Sequence, residues 1–343
     1  MRRSERRTIL DVARVAGVHP STVSRALHRA DAPLSAETRR KVLAAVERLE
    51  YRPSIIARGL RLQRTRTLGM LVPDITNPFF PPIIRGAEEA ARERGYELVL
   101  CNTDDAPDRE NASLRLLRER QADGVLIATS RMADATLALV RRERFPFVLV
   151  NRGSRVPADL SVEVDNERIA SSVVAHLASL GHSRIAHIAG PLSTTTGAGR
   201  AAGYRDALRD HGITPDPSLL AEAAAFSDDA GYDAARRLLA AGPTAIFAAN
   251  DLLMLGALRA AREKGLAIPS DLSLVGVNDI PLVGLIEPPL TTVRVPGREM
   301  GQIAARMLVA VLEREPVARK HALVEATLIV RGSTAAPARE VVA

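Results

Sequence analysis

From residue 67 onward, apolar runs of strand length recur: Leu68–Val72, Tyr96–Leu100, Gly124–Ala128, Phe147–Val150, Ile185–Ala189, Ala245–Ala248 and Leu274–Val277. Between most of them lie helical stretches of 10–18 residues, such as Ile83–Arg94, Glu167–Leu180, Arg200–His211, Gly231–Leu239 and Leu253–Lys264. Strands that are apolar throughout and alternate with helices belong to parallel sheets covered on both faces. The chain has 343 residues, and the part beyond residue 67 is too long for one such core, so two lobes are expected. Ligands of these sheets bind beyond the carboxyl ends of the strands. That rule picks out Asp74 to Phe80, Asn151-Arg152, Thr194 to Arg200, Asn250-Asp251 and Asn278-Asp279.

The first 66 residues do not share this rhythm. They hold sixteen Lys and Arg against six Asp and Glu, whereas the remainder holds 31 against 34. A small cationic segment on a mildly acidic body points to a polyanion-binding module attached to a receptor with another task. Its alternative is a solvated basic tail, and the local pattern decides between them. Thr8-Ile9-Leu10-Asp11 fits a capping box, and apolar Val12, Ala13, Val15 and Ala16 then give a short helix stopped by Gly17. Pro20 suits the first turn of a second helix, with Val23, Ala26 and Leu27 inward and Ser21, Thr22, Ser24, Arg25 and His28 on the other faces. A third helix starts near Ser35 and runs through Val42, Leu43, Val46 and Leu49. Helix, three-residue turn, polar helix and supporting helix describe a helix-turn-helix. The second helix would enter the major groove, its first residues and Arg25 reaching base edges while hydroxyls bind phosphates.

Composition excludes several other classes. One cysteine, Cys101, permits no internal disulfide framework and no cysteine-based metal site. Seven histidines without HxxxH or HxH spacing argue against zinc, so no metal and no cofactor are expected. The basic start is followed by Thr8 and charged residues rather than an apolar stretch, and there is no apolar run of membrane length. A cytoplasmic chain is expected.

At the strand ends, amides, carboxylates, hydroxyls and Arg200 gather beside Phe79 and Phe80, a set suited to a polyhydroxylated or ring-shaped ligand. Either phenylalanine could instead be core, and Asn250-Asp251 could cap the following helix, a role that suits Asp251.

The string ILDVARVAGVHPSTVSRAL, followed by SAETRRKVLAAVERLEYRPSIIARGLR, resembles the DNA-binding head and hinge of the lactose/galactose-repressor (LacI/GalR) family. The similarity continues through VPDITNPFF, GHSRIAHIAGP, GAGRAAGY, FAANDLLMLGAL and PPLTTVRVP, in order, over most of the chain. The resemblance implies an all-α helix-turn-helix head (1–52), a hinge helix and linker (53–66), an α/β periplasmic-binding-protein-like sensor of two doubly wound parallel-sheet lobes (67–334), and a short C-terminal tail (335–343). It assigns base reading to Pro20, Ser21 and Arg25, and backbone positioning to Thr8, Ile9, Leu10, Thr22, Ser24 and His28. Pro20 can offer only apolar contact, and the loop Arg29–Leu34 is about one residue longer than usual, so the operator sequence stays open. In the hinge, Ser54, Ile55, Ala57 and Leu60 are implied DNA contacts, with Leu60 as a wedge in a minor-groove step. Gly59 weakens that helix by about 1 kcal/mol relative to alanine. A linker helix with Leu60 packed on the next domain is the other reading.

For the sensor, the resemblance implies an effector clamped between the lobes by Asp74, Phe79, Phe80, Asn151, Thr194, Thr196, Arg200, Phe226, Asn250 and Asn278. Asn278 stands where many relatives carry aspartate. Thr194 lacks the arginine that the purine-binding branch directs at its base, so a sugar or sugar derivative is the expected effector. The family's mechanism implies a homodimer, a pseudo-palindromic duplex operator, repression as the expected action, and no membrane partner. The tail has no apolar heptads, so no helical tetramerisation segment is expected.

Two rivals remain. An enzyme is disfavoured: Gly197, Gly199 and Gly203 have GxGxxxG spacing and follow the strand too late for a dinucleotide fingerprint, and neither GxSxG nor a Walker A sequence is present. A solute-binding receptor shares the two-lobed body but needs neither the basic head nor salt-dependent DNA affinity.

Overall fold

The computed structural model describes residues 7–28, 34–51, 65–132 and 135–338. Its contacts separate into two compact units between Thr65 and Arg66. In the first, α1 (Ile9–Ala16), α2 (Pro20–His28) and α3 (Ala36–Arg48) form a small bundle. Asp11 Oδ2 accepts from the Thr8 backbone N–H at 2.9 Å and from its hydroxyl at 2.8 Å, closing the start of α1. These bonds hold the Asp11 carboxyl below its ordinary pKa. Gly17 ends the helix at φ 63°, where a side chain would be strained. Ser35 caps α3 by accepting from Thr38 N–H. The core is thin: Val12, Ala13, Ala16, Val23, Ala26, Val42 and Ala45, edged by residues such as Ile9, Leu27 and Leu49.

The second unit carries two six-stranded sheets. Its strands are β1 (Thr67–Val72), β2 (Glu97–Asn102), β3 (Gly124–Ile127), β4 (Phe147–Val150), β5 (Ser161–Val164), β6 (Ile185–Ala189), β7 (Leu220–Glu222), β8 (Ala245–Ala248), β9 (Ser273–Asn278), β10 (Thr291–Arg294), β11 (His321–Val324) and β12 (Thr327–Ile329). Its helices are α4 (Phe80–Glu93), α5 (Pro107–Glu119), α6 (Ala135–Arg142), α7 (Asn166–Ser179), α8 (Thr195–Asp210), α9 (Asp228–Leu238), α10 (Asp251–Glu263) and α11 (Gly297–Glu313). Lobe 1 has strand order β11-β5-β4-β3-β1-β2 and lobe 2 has β12-β10-β9-β8-β6-β7. The central strands β3, β6 and β8 are buried along their whole length, which explains their unbroken apolar runs.

In lobe 1, Leu114 and Leu117 of α5 and Leu137 and Val140 of α6 pack on Leu71, Val125, Ile127 and Leu149; α4 and α11 pair and complete the lobe. The pairs α7–α8 and α9–α10 flank the second sheet. The chain passes between lobes at three places: after β5, after β10 and between β11 and β12.

Some expectations shift. Pairing is parallel except that β12 runs antiparallel to β10. The β2 strand extends to Asn102, beyond the apolar run ending at Leu100, because this edge strand is only partly buried. The stretch read as a tail is fastened at its first residue: Ala335 N–H donates to Ser273 Oγ and its carbonyl accepts from His182 Nε2. Finally, the glycine run at 197–203 serves close packing. A Cβ at Gly197 would lie 2.3 Å from the Pro191 carbonyl oxygen, and one at Gly203 2.4 Å from that of Glu167. Among the described residues, no helix is long and apolar enough to cross a membrane.

Candidate functional site

The head presents α2 as its polar helix. Ser21 and Arg25 are exposed, Pro20 and Thr22 half-buried, and Thr8 and Leu10 exposed beside the start of α1, with Ile9 half-buried. Arg25 lies along its own helix, Nε donating to the Ser21 carbonyl and an Nη to Thr22 Oγ1, both at 3.4 Å. Such long bonds are easily exchanged for a base edge. Ser24 is largely covered by the bundle. One contact was not anticipated: His19 Nδ1 sits 2.8 Å from Ser21 Oγ and accepts from Ser21 N–H, bracing the turn before α2. The side chain of His28, and Ser54, Ile55, Ala57 and Leu60, lie outside the described residues.

In the body, the carboxyl ends of both sheets face one cleft of about 250 Å³, the room of roughly eight water molecules. That is the scale of a monosaccharide. Lobe 1 contributes Pro73, Asp74, Asn77, Phe79 and Phe80 after β1, Asp104 and Asp105 after β2, and Asn151 and Arg152 after β4. Lobe 2 contributes Thr196 and Arg200 from α8, Ala225 to Ser227 after β7, Asn250 after β8, and Asn278 ending β9. Of the ten positions expected around an effector, nine line this cleft. Thr194 does not: it caps α8, its hydroxyl accepting from Gly197 N–H and donating to the Pro191 carbonyl.

Each wall is fixed by local geometry. Asp74 Oδ1 accepts from the Thr76 N–H and hydroxyl, making a turn that aims the loop before α4. Phe79 and Phe80 are both buried, edge to face with ring centres 5.2 Å apart, so they are core and lining at once. Asn151 has φ 67°, the left-handed conformation in which asparagine is favoured over bulkier residues, and Asn278 has φ 123°. Asn250 Oδ1 caps α10 by accepting from Leu253 N–H at 2.8 Å, leaving its Nδ2 for a ligand. The cap thus belongs to Asn250, not to Asp251. The buried Asp251 carboxyl instead accepts from Ile280 N–H and from the Thr292 hydroxyl at 2.6 Å, fastening the turn after Asn278. Burial pushes its pKa up to about 7 against those two bonds.

Two arginines dominate the cleft. Arg152 in lobe 1 donates to both Asp105 oxygens at 2.7 and 3.1 Å and lies 5.5 Å over the Phe226 ring of lobe 2. Arg200 in lobe 2 donates Nε to Asn166 Oδ1 at 3.0 Å and Nη1 to the Ala249 carbonyl, while Nη2 takes part in neither bond. Burial lowers its pKa to about 10, partly countered by the charge on Asp251, so it remains a cation at neutral pH. The lobes also touch through Met132 N–H to the Ser193 carbonyl and Gly153 N–H to Thr195 Oγ1. Sequence reasoning did not select Pro73, Asp104, Asp105, Ala225 and Ser227; Asn77 lay within the stretch Asp74 to Phe80. It noted Arg152 only as the neighbour of Asn151.

A helix-turn-helix unit joined to a two-lobed, cleft-bearing α/β body defines a ligand-responsive DNA-binding regulator. The comparisons agree. Residues 8–54 match the model for bacterial regulatory proteins of the lacI family, and residues 174–334 match a periplasmic binding protein-like domain. The chain is 36% identical over 330 residues to the HTH-type transcriptional regulator RegA of Clostridium saccharobutylicum, covering 95% of this chain and 99% of that one. It is 35% identical over 331 residues to the ribose operon repressor of Escherichia coli K12, with the same coverage. Among solved structures, the lac repressor dimer bound to operator and the anti-inducer ONPF superposes with TM-score 0.85 at 28% identity, covering 97% of this chain and 100% of that one. The regulator CelR in complex with cellobiose gives TM-score 0.74 at 33% identity, covering 96% and 100%. The chain belongs to the LacI family of bacterial regulatory proteins. It is a DNA-binding transcriptional regulator, and its relatives are regulators rather than enzymes.

Proposed function

We propose that the protein is a homodimeric repressor of the cytoplasm, whose grip on a pseudo-palindromic operator is set by a sugar or sugar derivative bound between the lobes. The carrying observation is the cleft itself. Polar side chains from the carboxyl ends of both sheets converge on a monosaccharide-sized space beside two phenylalanines, so a molecule held there touches both lobes. The sugar-linked names among the relatives, a ribose operon repressor and a cellobiose complex, support the same effector class. Exposed apolar side chains on the body, Ile75, Val99 and Leu100 on lobe 1 and Leu282 and Leu285 on lobe 2, support pairing of two sensors. In this reading 1–52 is the reading head, with Pro20, Ser21 and Arg25 towards bases. Residues 53–66 form the hinge that transmits lobe movement, and 67–334 the sensor.

The test is operator selection from random duplexes with the full chain, followed by binding at several salt concentrations. Affinity should fall steeply with salt. Arg25→Ala should cost roughly 1–3 kcal/mol on the selected site and much less on random DNA. A chain that binds no duplex at low salt contradicts the proposal.

A further inference from the structure

The turn that leads into α2 is held by a single residue. His19, exposed, stands immediately before Pro20. Its carbonyl accepts from Thr22 N–H at 2.8 Å and from Val23 N–H at 3.3 Å, and its Nδ1 accepts from Ser21 N–H at 3.3 Å. Pro20 has no N–H, so His19 takes every backbone donor from Pro20 to Val23 and caps the helix.

The same ring nitrogen lies 2.8 Å from Ser21 Oγ, and the neighbouring bond fixes which atom of that pair donates. A nitrogen that accepts from a backbone N–H carries no proton, so the imidazole hydrogen is on Nε2. Lone pairs facing each other across 2.8 Å would repel, so the Ser21 hydroxyl donates to Nδ1. Its hydrogen is thereby turned back towards His19. The exposed Ser21 Oγ then presents lone pairs to its surroundings, an acceptor and not a donor. A serine is ordinarily indifferent in the groove because its hydroxyl rotates to suit either kind of base edge. Here the imidazole removes that freedom.

We infer that His19 is a positioning residue that sets the polarity of Ser21, so that Ser21 selects a base bearing an amino group, adenine or cytosine, and rejects guanine and thymine at the base it faces. The inference rests on Ser21 pointing at base edges, as in the proposed function. In the major groove the amino groups of adenine and cytosine are donors, whereas guanine and thymine offer carbonyl oxygens there. An acceptor-only hydroxyl oxygen bonds the first pair and meets a second set of lone pairs on the other.

The experiment selects an operator from random duplexes with the full chain, then measures affinity for duplexes altered one base at a time. At the position whose preference disappears in Ser21→Ala, the selected base should be adenine or cytosine. Exchanging it for guanine or thymine should weaken wild-type binding about tenfold. Removing its exocyclic amino group alone, with deoxynebularine in place of deoxyadenosine or a deaminated pyrimidinone in place of cytosine, should weaken it about fivefold. His19→Asn, whose side-chain oxygen can only accept, should keep the preference. His19→Gly should erase it, and glycine is itself tolerated at a helix start; a role in stability alone would lower affinity for all bases equally. Should His19→Gly fail to fold, the amino-group deletions on the wild-type protein still decide. A guanine or thymine at the Ser21-dependent position, or a preference that His19→Gly leaves intact, overturns the inference while Ser21 remains a base contact. If Ser21→Ala alters no base preference, the inference and the base-reading role of Ser21 both fall. If no duplex binds at all, the proposed function falls with them.

Discussion

In lobe 1, buried charge comes with its opposite. Asp159 is held by Arg141 through Nε at 2.9 Å and an Nη, Glu110 by Arg131 at 3.1 Å, and Arg152 by Asp105. In lobe 2 Asp279 is paired in the same way, with Arg294 and Arg331, but the deeper groups Arg200, Asp251 and His187 are held by amides, hydroxyls and carbonyls. The two lobes share one sheet plan, so the difference lies in the side chains. A paired buried charge fixes a shape and asks for nothing more. A buried charge with neutral partners leaves an electrostatic demand that a proton or a ligand can meet, which suits the wall of a sensor.

The contrast can be broken first in lobe 1. Arg141→Ala leaves the Asp159 carboxylate buried with the Ser154 hydroxyl as its remaining side-chain donor, and should cost about 3 kcal/mol in urea unfolding. Replacing both Arg141 and Asp159 by leucine should recover most of that loss. Parallel stabilities for Arg141→Ala and wild type would show that the pairing of lobe 1 is incidental.

The next effect is a pH dependence carried by Asp251 and the buried histidines of lobe 2. Burial raises Asp251 to about 7 from 3.8, so the folded protein holds a proton that the unfolded chain releases. Its contribution is present below about pH 4 and is lost as pH rises towards 7. His187 behaves oppositely. Stacked between Tyr204 and Phe247 and lowered by burial to about 3, it stays neutral when folded, so its contribution is present above pH 6.5 and is lost as pH falls. Between about pH 4 and 6.5 the Asp251 slope opposes that of His187, to which His176 and His182, also lowered by burial, add. Asp251→Asn should unmask the histidine slope, so that stability rises with pH across this window by an extra amount on the order of 2 kcal/mol. Unfolding curves whose pH dependence matches wild type would contradict this.

The smallest expected effect is the most pointed. Arg200→Gln, in contrast with Arg141→Ala, removes a charge that had no acid beside it and retains a donor for Asn166. It should change stability by less than about 1 kcal/mol, as read by thermal unfolding without ligand. A loss as large as that of Arg141→Ala would mean that Arg200 is a structural group.

Much of the fold was legible because the sequence signals were local. The capping box at Thr8 and Asp11, the stop at Gly17, and the apolar runs of β1, β3, β4, β6, β8 and β9 depend on neighbours a few residues away. The short or edge strands β5, β7, β10, β11 and β12 were not, since their pairing is decided by distant partners such as His321 beside Ser161. The same division applies to the cleft. Residues following a recognisable strand were found by the strand-end rule. Asp104 and Asp105 were passed over because the apolar run of β2 stops two residues short of the strand itself, which moved its end away from them. Arg152 was seen but not singled out, because its importance comes from Asp105, 47 positions away in the chain. Thr194 carries a hydroxyl suited to ligand contact, yet it is spent on a helix cap; composition alone does not distinguish these uses.

The account stands or falls on linkage between the two units. Operator affinity, followed by fluorescence anisotropy, should be measured with and without saturating amounts of a sugar or sugar derivative shown by thermal shift to bind the protein, and that molecule's affinity with and without operator by calorimetry. The account predicts that the two ratios are equal and differ from one; an operator affinity indifferent to a ligand that demonstrably fills the cleft would contradict it.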